Sequence, residues 1–179
     1  KKFALPLGQL TYVFDNMFPT TKIPETIFCA LFSEKSLNGA YDLSPLEMQS
    51  LNIMSIGLYL DGLPIPQAPL KMDFSDDRLK EGVQGFMSMF HTLNMFNEEK
   101  SNGLDLFHYL NGYTVFCFSL SPTAGDNRLN SPAPSRQGIV RMELTFNKIS
   151  ANYNSLIVLS KTPEVLLIDK MRQISMEKT

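Results

Sequence analysis

"NIMSIGLYLDGLPIP", residues 52–66, reads as a strand, a two-residue turn and a second strand with proline at alternate positions. Asp61-Gly62 is the strongest short-range hairpin signal a sequence can carry. In an antiparallel ladder, alternate residues direct their N–H groups at the same neighbour. Pro64 and Pro66 therefore blank one side of the second strand only, and Leu63 and Ile65 remain able to pair back onto residues 58–60. Proline within sheets is confined to edges, strand starts and bulges. The hairpin is expected where a sheet ends or where the chain leaves it for a long loop.

Outward from this hairpin, eight segments read as strands: 3–14, 26–33, 52–60, 63–70, 113–121, 138–147, 155–161 and 164–170. In "GIVRMELTF" (138–146), Val140, Met142, Leu144 and Phe146 share one face, and Arg141, Glu143 and Thr145 share the other. Period two with one polar face describes an antiparallel strand covering a core on one side. "YTVFCFSLSP" (113–122) is similar: Phe116, Phe118 and Leu120 point one way, and Cys117, Ser119 and Ser121 the other. "TIFCALF" (26–32) and "SLIVL" (155–159) lack alternation. Strands buried on both faces read that way, and so do strands lying under a neighbouring subunit. "IVLSKTPEVLLID" (157–169) resembles two strands joined by a tight turn at 161–164, where proline suits the bend.

One segment has a helical period. In "DDRLKEGVQGFMSMFHTLNMF" (76–96), Leu79, Val83, Phe86, Phe90 and Leu93 fall on one helical face, with Asp76 or Asp77 as N-cap. The helix is expected over about 77–95. Gly82 and Gly85 weaken it by about 1 kcal/mol each relative to alanine, so it needs tertiary packing to persist. "SPLE" (44–47) fits a capping box and a single helical turn. "DNMFPTTKIPE" (15–25) and "TAGDNRLNSPAPSRQ" (123–137) read as surface loops, and Pro132 and Pro134 make 122–137 the loop expected to be most exposed. Nothing repeats internally. The whole of 1–179 reads as one all-β domain: an eight-stranded antiparallel sandwich of jelly-roll type, with one amphipathic helix inserted between the fourth and fifth strands.

A chain of 179 residues buries about 70% of its unfolded surface and needs no disulfide or metal to fold. Charged residues make up only 19%, against about 25% in average chains. That deficit fits either surface destined for other chains or a large core. With a net charge of −2 and no basic stripe, nucleic acid is not an expected direct ligand. Thirteen Phe, ten Met and no Trp describe a greasy interior. Cys29 and Cys117 both sit in apolar runs and read as buried free thiols. There is no Asn-x-Ser/Thr acceptor, no signal-like segment and no apolar stretch near the ~20 residues of a membrane span.

Chemistry is hard to find. His91 and His108 stand apart from each other and from both cysteines, without the clustered ligand spacing a zinc site needs. No Gly-x-Ser-x-Gly and no phosphate-binding glycine loop occurs. The acidic clusters at 75–77, 97–100 and 125–127 lack the alternating oxygen ligands of a calcium loop. No catalytic residue, cofactor or metal is expected.

Several stretches, in order, resemble the major capsid proteins of Polinton (Maverick) elements, virus-like DNA transposons. "LNGAYDLSPLEMQSLNIMSIGLYLDGLPIP" (37–66) is similar to the family's Phe-Asn-Gly-Ser-Tyr segment and its strand ending Leu-Tyr-x-Asp-Gly, and it carries Asn38, Gly39, Tyr41, Tyr59, Asp61, Gly62 and Pro64. The helix with "FHTL" (90–93) follows. "GLDLFHYLNGYTVFCFSLSPT" (103–123) resembles the family's Tyr-x-Asn-Gly-Tyr … Phe-Asp-Leu-Thr-Pro, through Asn111, Gly112, Tyr113 and Pro122. "GIVRMELTF" carries Arg141 and Glu143 in the place of a Gly-x-Leu-Arg-x-Glu pattern, and "VLLIDKMRQI" (165–174) matches through Asp169 and Arg172. Ala40 and "FSLSP" depart mildly from the family's Ser and "FDLTP".

The resemblance implies the C-terminal jelly roll of a double jelly-roll major capsid protein. Such a protein forms homotrimers of hexagonal outline that tile an icosahedral shell with penton or minor capsid proteins. The chain is then half of such a building block or a shortened relative, located in the virion or in the host compartment of assembly. Two other readings are weighed beside it. A sandwich binding module would recognise a glycan or protein receptor through loop aromatics, Tyr41, Phe107 and Tyr109 being the candidates, although inward packing is expected for all three. An enzyme with a cupin-like metal site has only His91 and His108 to offer. The structural reading is favoured.

Overall fold

A computed structural model describes residues 1–18, 22–72, 79–93, 95, 101–121, 136–162 and 166–176. Its strands are β1 (Lys2–Leu5), β2 (Thr11–Phe14), β3 (Thr26–Ser33), β4 (Ile53–Leu60), β5 (Leu63–Lys71), β6 (Val115–Ser119), β7 (Val140–Phe146), β8 (Asn154–Lys161), β9 (Leu166–Ile168) and β10 (Ile174–Met176). The helices are α1 (Glu34–Leu37), α2 (Leu79–Thr92) and α3 (Leu106–Leu110). Eight strands form two four-stranded sheets, ordered β1-β8-β3-β6 and β2-β7-β4-β5, and every pairing is antiparallel.

The proline-bearing hairpin lies where its sequence puts it. Asp61 and Gly62 have φ of 50° and 84°, the pair of positive values that a type I′ turn requires. Leu58 pairs with Ile65, Tyr59 with Pro64 and Leu60 with Leu63, and β5 is the edge of its sheet. Among the described residues its proline-blanked side therefore has no strand to serve.

The inward residues of both sheets make one core. Ile27, Leu31, Phe116, Leu156 and Val158 come from the first sheet, and Ile56, Leu58, Met142 and Leu144 from the second. All are at most 2% exposed, so the period-two reading of β7 was sufficient to orient it. Cys29 joins this core, while Cys117 points outward beneath α2. Both are buried free thiols. Burial pushes the Cys117 thiol up to about 12, and burial, then the neighbouring Cys117, pushes Cys29 well above its ordinary value.

Three expectations change. The strand expected over 3–14 is two strands in different sheets, β1 and β2. Pro6 cannot donate to a ladder, and its carbonyl instead accepts the Tyr12 hydroxyl at 2.5 Å, folding the chain across from one sheet to the other. The strand expected over 164–170 does not join the sandwich. Its described part, β9, pairs with β10 in a separate two-stranded ribbon. "SPLE" forms a hydrogen-bonded turn, Glu47 N donating to Ser44 O at 3.3 Å, not a helical turn.

The predicted helix exists as α2, but its most buried line is Gly82, Gly85 and Met89; Val83, Phe86, Phe90 and Leu93 flank it, half-buried. A Cβ on Gly85 would stand 2.4 Å from Met72 Cε and 2.7 Å from the Tyr109 hydroxyl. The glycine that weakens the helix locally is what lets it approach α3. The expected cap at Asp76 or Asp77, the three acidic clusters, Pro122 and the loop residues 123–135 lie outside the described residues.

Candidate interaction surface

The two sheets share a core but present different outer faces. On the outer face of the second sheet, Tyr59 of β4 stands opposite Arg141 of β7, and Gly57 opposite Glu143. The Arg141 guanidinium ion-pairs with Glu143 and with Asp15, the latter at 3.2 Å, and lies 5.8 Å from the Tyr59 ring centroid. Tyr59 lies across Gly57, where a Cβ would meet its ring at 3.1 Å. Burial, then its hydrogen bond with Glu143, raises the Tyr59 phenol. These polar groups satisfy one another in contact with water.

The outer face of the first sheet is apolar in its middle, with Lys2 opposite Ile157 and Lys161 opposite Thr26 at its margins. Phe28 pairs with Leu159 and Ala30 with Ile157 across β3 and β8, so all four side chains share that face. Toward β6 it is covered. Ser88 and Thr92 of α2 donate their hydroxyls to Cys117 O at 3.0 and 3.3 Å, capping a carbonyl on the strand's unpaired edge. A helix laid over a sheet edge blocks pairing with other chains. Tyr109, fully buried, wedges α3 beneath α2, its ring 5.5 Å from that of Phe86 and its hydroxyl donating to Val115 O at 3.1 Å. Asp105 starts α3 by accepting from His108 N at 2.7 Å, a bond that holds its carboxyl below the ordinary carboxylate range. Toward β8 the cover stops: Leu159 is 67% exposed.

At the far end of this face Glu34 accepts from Ser155 and lies 2.9 Å from Lys2 Nζ, and these bonds lower its carboxyl. Between α2, β5 and β6 lies a cavity of about 330 Å³, lined mainly by Ile65, Leu70, Met87 and Phe118.

The residues singled out by the family resemblance fall mostly at turns. Gly39, Gly112 and Arg172 hold left-handed positions, with φ of 84°, 97° and 61°. Asn38 caps α1 and Asn111 caps α3, Asn111 Nδ2 donating to Phe107 O at 2.9 Å. Asp61 Oδ1 accepts from Ile139 N at 2.8 Å, tying the β4–β5 turn to the start of β7. Asp169 Oδ1 accepts from Met171 N and Gln173 N, shaping the β9–β10 turn. Only Tyr59, Arg141 and Glu143 are brought together as side chains, joined by Asp15, which the sequence reading passed over because it falls in a loop. Tyr41 and Phe107, expected to pack inward, are exposed, and Tyr113 is half-exposed; Tyr109 alone of the loop aromatics is buried. His91 and His108 are both exposed, His108 Nδ1 lying 2.8 Å from Asp105. Among the described residues no group of three or more His, Cys, Asp or Glu side chains converges to hold a metal. No helix among them is long and apolar enough to cross a membrane.

No protein-family model matches the chain, and no solved structure matches it. It is similar to an uncharacterized protein of Caenorhabditis elegans, 32% identical over 150 residues. The match takes in 83% of this chain and 34% of the relative, so the chain spans about a third of that protein's length.

Proposed function

We propose that the chain is a jelly roll serving as a structural building block of an icosahedral, virus-like shell, assembling through homotrimeric capsomers of hexagonal outline together with penton or minor capsid proteins. The observation that carries this reading is the nesting of the strands. β1 pairs with β8, β2 with β7, β3 with β6 and β4 with β5, as in one long antiparallel ribbon rolled onto itself. A double-sheet wrap of that kind supports the reading as an eight-stranded jelly roll. The ordered motifs from Asn38 to Arg172, resembling those of Polinton capsid proteins, support the same assignment. So does the protected edge at Pro64 and Pro66, which suits a protein held at very high local concentration. In this reading the role is structural rather than catalytic, and the site of action is the virion or the compartment where particles assemble.

The test is negative-stain microscopy of the intact gene product after size-exclusion chromatography with light scattering. Trimers of hexagonal outline or closed shells are expected. A strict monomer at high concentration overturns the reading. A second reading, a loop-borne receptor-binding module, is favoured by the exposure of Tyr41 and Phe107. Glycan-array binding that is lost in Tyr41→Ala and Phe107→Ala would establish it in place of the first.

A further inference from the structure

The sandwich is open along one side. β5 is the edge of one sheet and β6 the edge of the other, and the cavity of about 330 Å³ lies between them and α2. Its floor is the core itself. Ile65 and Leu70 stand opposite Leu58 and Ile56 on the inner face of β5, and Phe118 belongs to the core cluster. Small-molecule sites occupy about 300–1,000 Å³, and this space falls within that range.

The roof has the opposite character. Gln84, Met87, Ser88, His91 and Thr92 recur at helical spacing and form the face of α2 that lines the cavity. A helix face turned toward a core is ordinarily apolar, yet all of these side chains except Met87 are polar. Ser88 and Thr92 give their hydroxyl hydrogens to Cys117 O, so their oxygens offer only lone pairs. Gln84 Oε1 accepts from Lys71 N at 3.4 Å, which leaves its amide N–H groups to donate. On β6, bordering the same space, the Ser119 hydroxyl is half-buried and has no partner among the described residues. No Lys, Arg, Asp or Glu is among the described residues that line the cavity. A charged group entering it would lose water without gaining a counter-ion, and burying an unpaired charge is costly.

We propose that this cavity binds a small neutral amphiphile, an apolar body resting on Ile65, Leu70 and Phe118 with a hydroxyl head under α2. A hydroxyl donates to a lone pair of Ser88 or Thr92 while accepting from Gln84 or Ser119. A carboxylate only accepts and an ammonium only donates, so each matches half of that set and leaves its charge unpaired. The site does not depend on the shell reading, and its test is independent of assembly.

Isothermal titration calorimetry of the chain with 1-octanol, octanoate and octylamine at neutral pH tests the proposal. Saturable binding of 1-octanol is expected, with octanoate and octylamine weaker by about tenfold or more because their charge stays unpaired. Ser119→Ala should weaken 1-octanol by about three- to tenfold, the worth of one hydrogen bond. Met87, 41% exposed, has room to grow without cutting into the core, and Met87→Trp should fill the space and abolish binding. If that variant fails to fold, Ser119→Ala and the ranking of the three head groups decide. No saturable 1-octanol binding, a charged ligand binding as tightly as 1-octanol, or 1-octanol binding that Ser119→Ala or a folded Met87→Trp leaves unchanged each overturns the proposal.

Discussion

The outer faces of the two sheets are built on the same strand geometry and meet water in opposite ways. On the β4–β7 side the charged and hydroxyl groups partner one another within the face: Arg141 with Asp15 and Glu143, Glu143 with Tyr59. On the β3–β8 side the middle of the face is apolar, roofed by α2 and α3 over β6 and open over β8 at Leu159, with Lys2 and Lys161 at its margins. A self-satisfied polar face needs nothing from outside. An apolar face that is half roofed is finished only by something further along the chain or on another chain.

The comparison can be broken or sharpened by substitution. The largest effect is expected from Tyr109→Ala, which removes the fully buried ring holding α3 under α2. Loss of about 3–5 kcal/mol is expected from chemical denaturation, the range for truncating a buried aromatic, with increased binding of a hydrophobic dye as the roof loosens. Arg141→Ala, on the polar face, should cost only about 0.2–1 kcal/mol, because exposed ion pairs contribute little and salt screens them. That loss should shrink in concentrated salt. If Arg141→Ala costs as much as Tyr109→Ala, the two faces do not differ as described.

The smallest effect concerns Glu34, at the polar end of the apolar face. Its folded carboxyl is held low by Ser155, then by Lys2. A depressed carboxylate stabilises the fold above its unfolded value, and the contribution is lost as pH falls through the folded value. Unfolding curves of Glu34→Gln and the unaltered chain should therefore differ near neutral pH and converge as the solution is acidified below the ordinary carboxylate range. A gap that stays constant with pH would assign the effect to something other than the Glu34 charge.

Much of this architecture was legible in local signals. Asp61-Gly62 with Pro64 and Pro66 marked a hairpin and a sheet edge, because positive φ and a missing N–H are properties of single residues that no tertiary context removes. The alternation of Val140, Met142, Leu144 and Phe146 marked the inward face of β7. Short-range chemistry did not reveal the division of 3–14 between two sheets, since the apolar residues around Pro6 read as a continuous strand. Nor did it reveal α3, whose five residues are too few for a helical period to register. The inward orientation expected of Tyr41 and Phe107 failed for a related reason: aromatic character says that a side chain can be buried, and only the surrounding chain decides whether it is.

By itself, then, the sequence determined that the chain is antiparallel β structure with a helix in its middle, which strand faces are apolar, and where one edge must lie. The tertiary structure alone decided how those apolar faces are shared out. The residue pattern of β3 and β8 demands burial on both sides, but the pattern is the same whether a helix, a ribbon or another subunit supplies the second side. Hydrophobic burial is non-directional; only the packed arrangement shows that α2 and α3 reach as far as β6 and leave Leu159 uncovered.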